Sequence, residues 1–162
     1  MSLIHLENIT KSFGSKVVLK DINLVINEGE LICISGYSGS GKSTLLNILG
    51  LLDSYDSGDY FLNGAQSPKP YSRKATKVLK NKIGYLFQNF ALIDNKSVEY
   101  NLKLAKTKDS HHTIESALAK VGLSGFEKKK IYRCSGGEQQ RIAIARLLIK
   151  DSDIILCDEP TG

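Results

Sequence analysis

The opening stretch "LIHLENI" alternates apolar and polar positions, and "VVLKDINLVI" alternates again through Val18, Ile22, Leu24 and Ile26. Both predict strands with one wet face, as in an antiparallel sheet. "ELICIS" does not alternate. A short, continuous apolar run of this kind predicts a parallel strand buried on both faces. "KSTLLNILGLL" clusters Leu45, Leu46, Ile48 and Leu49, with Gly50 near its end, and predicts a helix. "DYFLNG" predicts a strand running into an Asn63-Gly64 turn, and "KIGYLFQ" a second buried strand. From about Ala91 to Arg133 the pattern reads as helical. Ile114, Ala117, Leu118 and Val121 fall on one face, with Gly122 placed as a C-terminal cap and Leu123 to close it. "SGGEQQRIAIARLLIK" predicts a strong helix and "DIILCDE" a last strand. Buried strands alternating with helices predict an α/β fold with a parallel core, into which residues 91–150 are inserted as a helical part. No repeat or linker divides the 162 residues, so one domain is expected, with 1–90 and 151–162 as its core.

Composition narrows the partners. A net charge of +5 suits anionic ligands such as phosphates and is too small to argue for nucleic acid. No apolar run approaches the ~18 residues of a membrane span. The start, "MSLIHLENIT", has no signal-peptide pattern, and a cytoplasmic protein is expected. Cys33, Cys134 and Cys157 form no paired framework and read as free thiols. The basic run "PKPYSRKATKVLKNK" reads as a solvated face, with anionic lipid headgroups or an acidic loop as its alternative partners.

Chemistry enters at "GYSGSGKST". Gly36, four residues, then Gly41-Lys42-Ser43 is the Walker A spacing. A triphosphate needs many donors in a small space. Backbone amides supply them if the loop bends tightly around the anion, which Gly36, Gly39 and Gly41 permit. The helix beginning near Lys42 aims its first amides at the same phosphates. Lys42 adds a mobile charge, and Ser43 and Thr44 add hydroxyls, the first suited to Mg²⁺. Tyr37, Ser38 and Ser40 complete the candidate loop. A glycine turn that merely joins strand to helix would show the same residues. The position between an apolar strand and an apolar helix favours the phosphate loop.

Two further features have the same bias. "IILCDE" brings Asp158 and Glu159 out at the C-terminal end of a parallel strand, the end at which α/β sheets bind ligands. Asp158 suits Mg²⁺, and Glu159 could polarise an attacking water. Ser135 and Glu138 form a capping box, yet Gly136 and Gly137 occupy the first turn behind it. Each glycine costs about 1 kcal/mol against alanine in a helix interior, less near an end. A cap does not need them. They leave bare amides at a positive helix end, a second anion site.

"CSGGEQQRIAIAR" resembles the LSGGQ signature of ABC-type ATPases, with "GYSGSGKST" before it and "IILCDEP" after it in the family's order. The resemblance covers essentially the whole chain. It implies a P-loop NTPase (RecA-like) parallel core with an N-terminal antiparallel β part and an α-helical signature subdomain. It implies ATP and Mg²⁺ as ligands, with Lys42, Glu159 and Gln88 ("LFQNF") as the residues of catalysis, and Ser43, Gln88 and Asp158 at the metal. Phe13 matches the aromatic that stacks on adenine. Ser135, Gly136, Gly137 and Glu138 match the signature, which binds the ATP held by the opposite subunit of a head-to-tail homodimer. The implied partner is a transmembrane permease on a separate chain, at the inner face of the membrane, with no nucleic acid.

Cys134 stands where the family usually has Leu, and Glu138 where it usually has Gln. The Glu variant, with "FQNFALIDNKSVEYNL", is similar to exporters of the lipoprotein-release, macrolide and bacteriocin types. The family's domain runs to about 210–230 residues, with a D-loop, an H-loop histidine and one more core strand beyond the position of Gly162. The resemblance therefore implies a fragment that binds nucleotide and hydrolyses it poorly. The alternatives are an ABC ATPase acting on nucleic acid and a non-catalytic nucleotide switch. The interval from Lys42 to Asp158 leaves no room for the long coiled coil of the repair types.

Overall fold

The computed structural model describes residues 2–107 and 110–158. They divide into two compact units, 1–76 and 77–162.

The first unit is built on alternation. β1 (Ser2–Phe13) and β2 (Lys16–Asn27) form a long hairpin, and β1 pairs on its other side with β3 (Ser57–Leu62). A short β4 (Ala65–Gln66) returns along β3, giving the antiparallel order β2-β1-β3-β4. The turn between β3 and β4 is the expected one: Asn63 and Gly64 both take positive φ, 52° and 73°, as a two-residue hairpin turn requires. A register shift between Ile9 and Lys11 changes the phase of β2, so that Leu19 is buried in addition to the half-buried face of Ile22, Leu24 and Ile26. Ile4, Leu6 and Ile9 of β1, Tyr60 of β3, and Ile48 and Leu49 of α1 (Lys42–Leu49) are buried together as the core of this unit. The Tyr60 hydroxyl donates to the Leu49 carbonyl at 2.9 Å, so the largest buried side chain also ties helix to sheet.

One expectation fails here. "ELICIS" forms no strand: residues 30–37 have no regular secondary structure, Ile34 alone is half-buried and the rest are exposed, Leu31 to 97%. Among the described residues neither sheet offers this run a neighbouring strand. A backbone without a ladder partner satisfies its N–H and C=O groups with water, and its side chains then have nothing to pack on.

The second unit carries the parallel pair. α2 (Arg73–Asn81) leads into β5 (Ile83–Leu86), which pairs in parallel with β6 (Ile154–Cys157), Ile83 opposite Ile154 and Leu86 opposite Cys157. All four residues of β5 are buried, as the continuous apolar run predicts. β6 is buried only at alternate positions, Ile154 and Leu156, and Ile155 is 57% exposed, the pattern of a strand covered on one face. The stretch from 91 to 133 is less helical than its pattern suggests. Among the described residues it holds α3 (Val98–Lys103), α4 (Ile114–Lys120) and a single 3₁₀ turn (Ile131–Arg133). α4 ends as expected. Gly122 takes φ 70°, its amide donates to Ala119, and the Leu123 amide donates to Leu118, which is a Schellman closure with Leu123 buried beneath it.

α5 (Gly136–Lys150) is the long helix of the unit. Its Ile142, Ala145 and Ile149 pack with Val98, Leu102 and Leu118 in one helical core. Its other contact is with β5. A Cβ on Gly84 would lie 2.9 Å from the Leu147 side chain, so glycine at this strand position permits the close approach of helix to sheet.

Candidate functional site

The phosphate loop lies wholly in the first unit. Gly39 and Gly41 take φ 77° and 94°, and Gly41 is the left-handed residue at the head of α1. Gly41 is doubly constrained, since a Cβ there would meet the Val18 carbonyl at 3.0 Å and the Val18 side chain at 2.9 Å. A Cβ on Gly39 would point into open space, where only its backbone conformation asks for glycine. α1 has no side-chain cap and no acidic residue in its first turn, so its positive end is left for an external anion. The Lys42 ammonium donates back to the carbonyls of Gly36 and Tyr37, at 2.9 and 2.8 Å. It therefore lies along the loop and holds its curvature, and an ammonium has a third donor beyond these two. Ser40 closes the turn by donating its amide to the Tyr37 carbonyl at 3.2 Å. Tyr37, Ser38, Gly39, Ser40 and Ser43 are exposed, and Thr44 is half-buried. A cradle of glycines, bare amides and one cation fits a chain of phosphates.

Phe13 ends β1, opposite Lys16, and its ring is 52% exposed. The same hairpin reaches the phosphate loop, because Val18 and Leu19 are the residues packed against Gly41. Lys11 places its ammonium 5.0 Å from the Phe13 ring centroid and bonds Asp53 at 3.2 Å, itself almost fully buried. The sequence gives no hint of this support, since a lysine in an alternating strand reads as solvated.

In the second unit the parallel pair brings Gln88 and Asp158 to one end. Asp158 follows β6, and its amide donates to the carbonyl of Leu86, the last residue of β5, at 3.0 Å. Gln88 stands two residues beyond Leu86 in an exposed turn. Tyr85 stacks on Phe87 with centroids 4.1 Å apart. Burial, with the Asp158 carboxylate nearby, pushes the Tyr85 phenol up to about 12, so it stays protonated beside that charge. One carboxylate and one amide side chain fit Mg²⁺, which keeps several waters and borrows phosphate oxygens rather than taking a full protein cage. No group of three or more His, Cys, Asp or Glu side chains placed to hold a metal ion occurs among the described residues. Glu159 lies outside the described residues.

Ser135 and Glu138 make a complete capping box. The Ser135 hydroxyl accepts from the Glu138 amide at 3.3 Å, and the Glu138 carboxylate accepts from the Ser135 amide at 2.8 Å. Lys129 donates to both oxygens of the same carboxylate, which holds Glu138 below the usual carboxylate range, with the Ser135 amide adding to the effect. Lys129 sits in a run of lysines that reads as solvated, so its role was not legible. A Cβ on Gly136 would meet nothing within 4 Å, and one on Gly137 only the tip of Arg141 at 4.0 Å. No internal packing asks for either glycine. Cys134 is buried in the helical core, which accounts for its tolerance in place of a leucine. Cys33 is exposed, and all three cysteines are free.

A protein-family model described as ABC transporter matches residues 19–162. The chain belongs to the ABC transporter family. Within it the chain is an ATP-binding domain of P-loop NTPase fold. Over its whole length it is 39% identical to the macrolide export ATP-binding/permease protein MacB of Neisseria meningitidis serogroup A, of which it spans 27%. It is 41% identical to MacB of Campylobacter fetus over 99% of its length and 26% of that protein. The chain thus spans about a quarter of the length of these curated relatives. Among solved structures, the ATP-binding cassette MJ0796 in a dimeric post-hydrolysis state bound to ADP and Pi superposes with a TM-score of 0.83 at 36% identity, over 98% of this chain and 74% of that one. A second dimeric structure of MJ0796, described as a bacterial ABC transporter cassette, gives a TM-score of 0.84 at 37% identity over 98% and 75% of the two chains. No described helix of this ABC domain is long and apolar enough to cross a membrane.

Proposed function

We propose that this domain binds Mg²⁺-ATP, pairs head to tail with a second copy around the nucleotide, and hydrolyses it to drive export through a transmembrane permease at the inner face of the membrane. The observation that carries the reading is the phosphate loop: Lys42 bonded along a glycine cradle at the uncapped head of α1. The loop amides and Lys42 take the phosphates, and the exposed Phe13 ring, backed by Lys11, takes the adenine. Ser43, Gln88 and Asp158 hold the metal, which supplies charge neutralisation at the phosphates when bound. Glu159 polarises the attacking water. The unpacked Gly136 and Gly137, with Ser135, accept the γ-phosphate of ATP held by the other copy. MJ0796, described as dimeric, supports the pairing. The curated relatives, named as ATP-binding/permease proteins for macrolide export, support a permease partner and an exported substrate. Residues 91–150 act as the helical part that meets this permease, and 1–90 with 151–162 as the nucleotide core. The net charge of +5 is too small to argue for a nucleic-acid partner.

Glu159→Gln tests the reading in the whole protein. The variant is expected to bind ATP with unchanged affinity, to stall hydrolysis and to accumulate an ATP-bound dimer on gel filtration. Normal turnover by this variant would remove the water-polarising role.

A further inference from the structure

The turn that carries Gln88 is fastened to the helix that carries Ser135–Gly137. Beyond β5 the chain turns through Gln88 and Asn89, with the Phe90 amide donating to the Phe87 carbonyl at 2.9 Å. Phe90 and Ala91 then follow one another at φ 59° and 45°. Both lie in the left-handed region, which is unfavourable for a residue with a side chain. Glycine stands at neither position; within the turn the Ala91 amide bonds the Asn89 carbonyl at 2.7 Å, and a second hold comes from outside it. The carbonyls of both residues accept from one guanidinium: Arg146 Nη2 donates to Phe90 O and Nη1 to Ala91 O, each at 2.7 Å. Arg146 lies in α5, 55 residues further along the chain than Ala91. Two residues on, Ile93 is held as well. Its amide donates to Asn101 Oδ1 at 2.7 Å, and Asn101 Nδ2 donates to its carbonyl at 3.2 Å. Asn101 is almost fully buried in α3. Residues 90–93 are therefore bolted to the helical core at two points. Gln88 occupies the short span between those bolts and the end of β5.

We propose that Arg146 is a positioning residue for Gln88: its planar fork clamps the two left-handed residues behind the glutamine, so that the turn follows the helix whose head carries Ser135–Gly137. The shape of the donor matters more than its charge. A guanidinium reaches two diverging carbonyls at once, whereas an ammonium is a single point. The inference rests on the reading of Gln88 as a group at the metal and adds to it how that group is kept in place.

The test is a double-mutant cycle on ATP hydrolysis by the whole protein, with Mg²⁺ varied, using Arg146→Ala, Arg146→Lys, Gln88→Ala and Arg146→Ala with Gln88→Ala. Arg146→Ala is expected to lower kcat about 10–100-fold, the scale of a misplaced group, with KM for ATP little changed and more Mg²⁺ required. Arg146→Lys should fold normally and fail to restore the rate, which keeps the test decisive if the alanine variant does not fold. The double variant should be no slower than Gln88→Ala alone, because the clamp has nothing left to position. Amide hydrogen exchange over residues 88–93 should quicken in Arg146→Lys while that of α4 does not change. Full activity of Arg146→Lys, multiplication of the two losses, or unaltered exchange at 88–93 would overturn the proposal. An unimpaired Gln88→Ala would instead overturn the role of Gln88, and the clamp's purpose with it.

Discussion

Lys129 reaches both carboxylate oxygens of Glu138, at 3.1 and 3.0 Å, while the same carboxylate accepts from the Ser135 amide. The head of α5 is thus held by a charge as well as by a cap. Glu138 is depressed below its ordinary value of 4.5, first by Lys129 and then by Ser135. A depressed acid contributes stability that is complete above its unfolded pKa and is lost as pH falls through the lower folded one. Glu138→Gln keeps a capping side chain and removes the charge. Denaturant midpoints measured against pH should show wild type ahead of Glu138→Gln by a constant margin above about pH 5.5. The margin should close as pH falls below 4.5. A margin that widens toward acid would contradict the pairing.

Gly136 and Gly137 separate stability from function. An added methyl at either meets open space or the far end of Arg141. Gly137→Ala should therefore stabilise α5, by up to about 1 kcal/mol and less near the helix end. The same methyl covers an amide that the proposed function assigns to the partner's γ-phosphate. Thermal unfolding should shift upward while ATP turnover falls about 100-fold or more. A variant that is both more stable and fully active would remove the external role of these glycines.

The two loop glycines differ in a way that stability can read. Gly41→Ala forces a methyl against the Val18 backbone as well as a left-handed residue with a side chain. Gly39→Ala carries the conformational cost alone. Positive φ costs about 1–3 kcal/mol at a non-glycine residue, so Gly41→Ala should be the more destabilising of the two. Chemical denaturation of both variants decides the order, and equal losses would mean that the contact with β2 does not constrain the loop.

Much of this was legible in the sequence because it is local. The Asn63-Gly64 turn, the Gly122 and Leu123 closure and the Ser135 and Glu138 box are each written within a few residues, and each appears as expected. Burial of a strand is not local. "ELICIS" and "KIGYLFQ" share one pattern, yet among the described residues only the second has a neighbouring strand, and Leu31 is exposed where Ile83 is buried. Apolar spacing likewise could not reveal where helices give way to turns between 91 and 133. At the candidate site, motifs named the candidate ligand-binding residues and were silent on their supports. Lys11 behind Phe13, Lys129 on Glu138 and Arg146 on the Gln88 turn are cations whose supporting contacts no local pattern shows. Lys11 and Asp53 are 42 residues apart and Arg146 and Ala91 are 55, so only the fold brings these together.

The account stands on Lys42, whose ammonium spans the carbonyls of Gly36 and Tyr37 at the head of α1. The direct measurement is the equilibrium affinity of the whole protein for ATP, with and without Lys42→Ala, by calorimetry in Mg²⁺. The substitution removes a charge and two bonds from the loop and is expected to abolish detectable binding while the protein stays folded by circular dichroism. An affinity equal to that of the unaltered protein would contradict the assignment of this loop as the phosphate site.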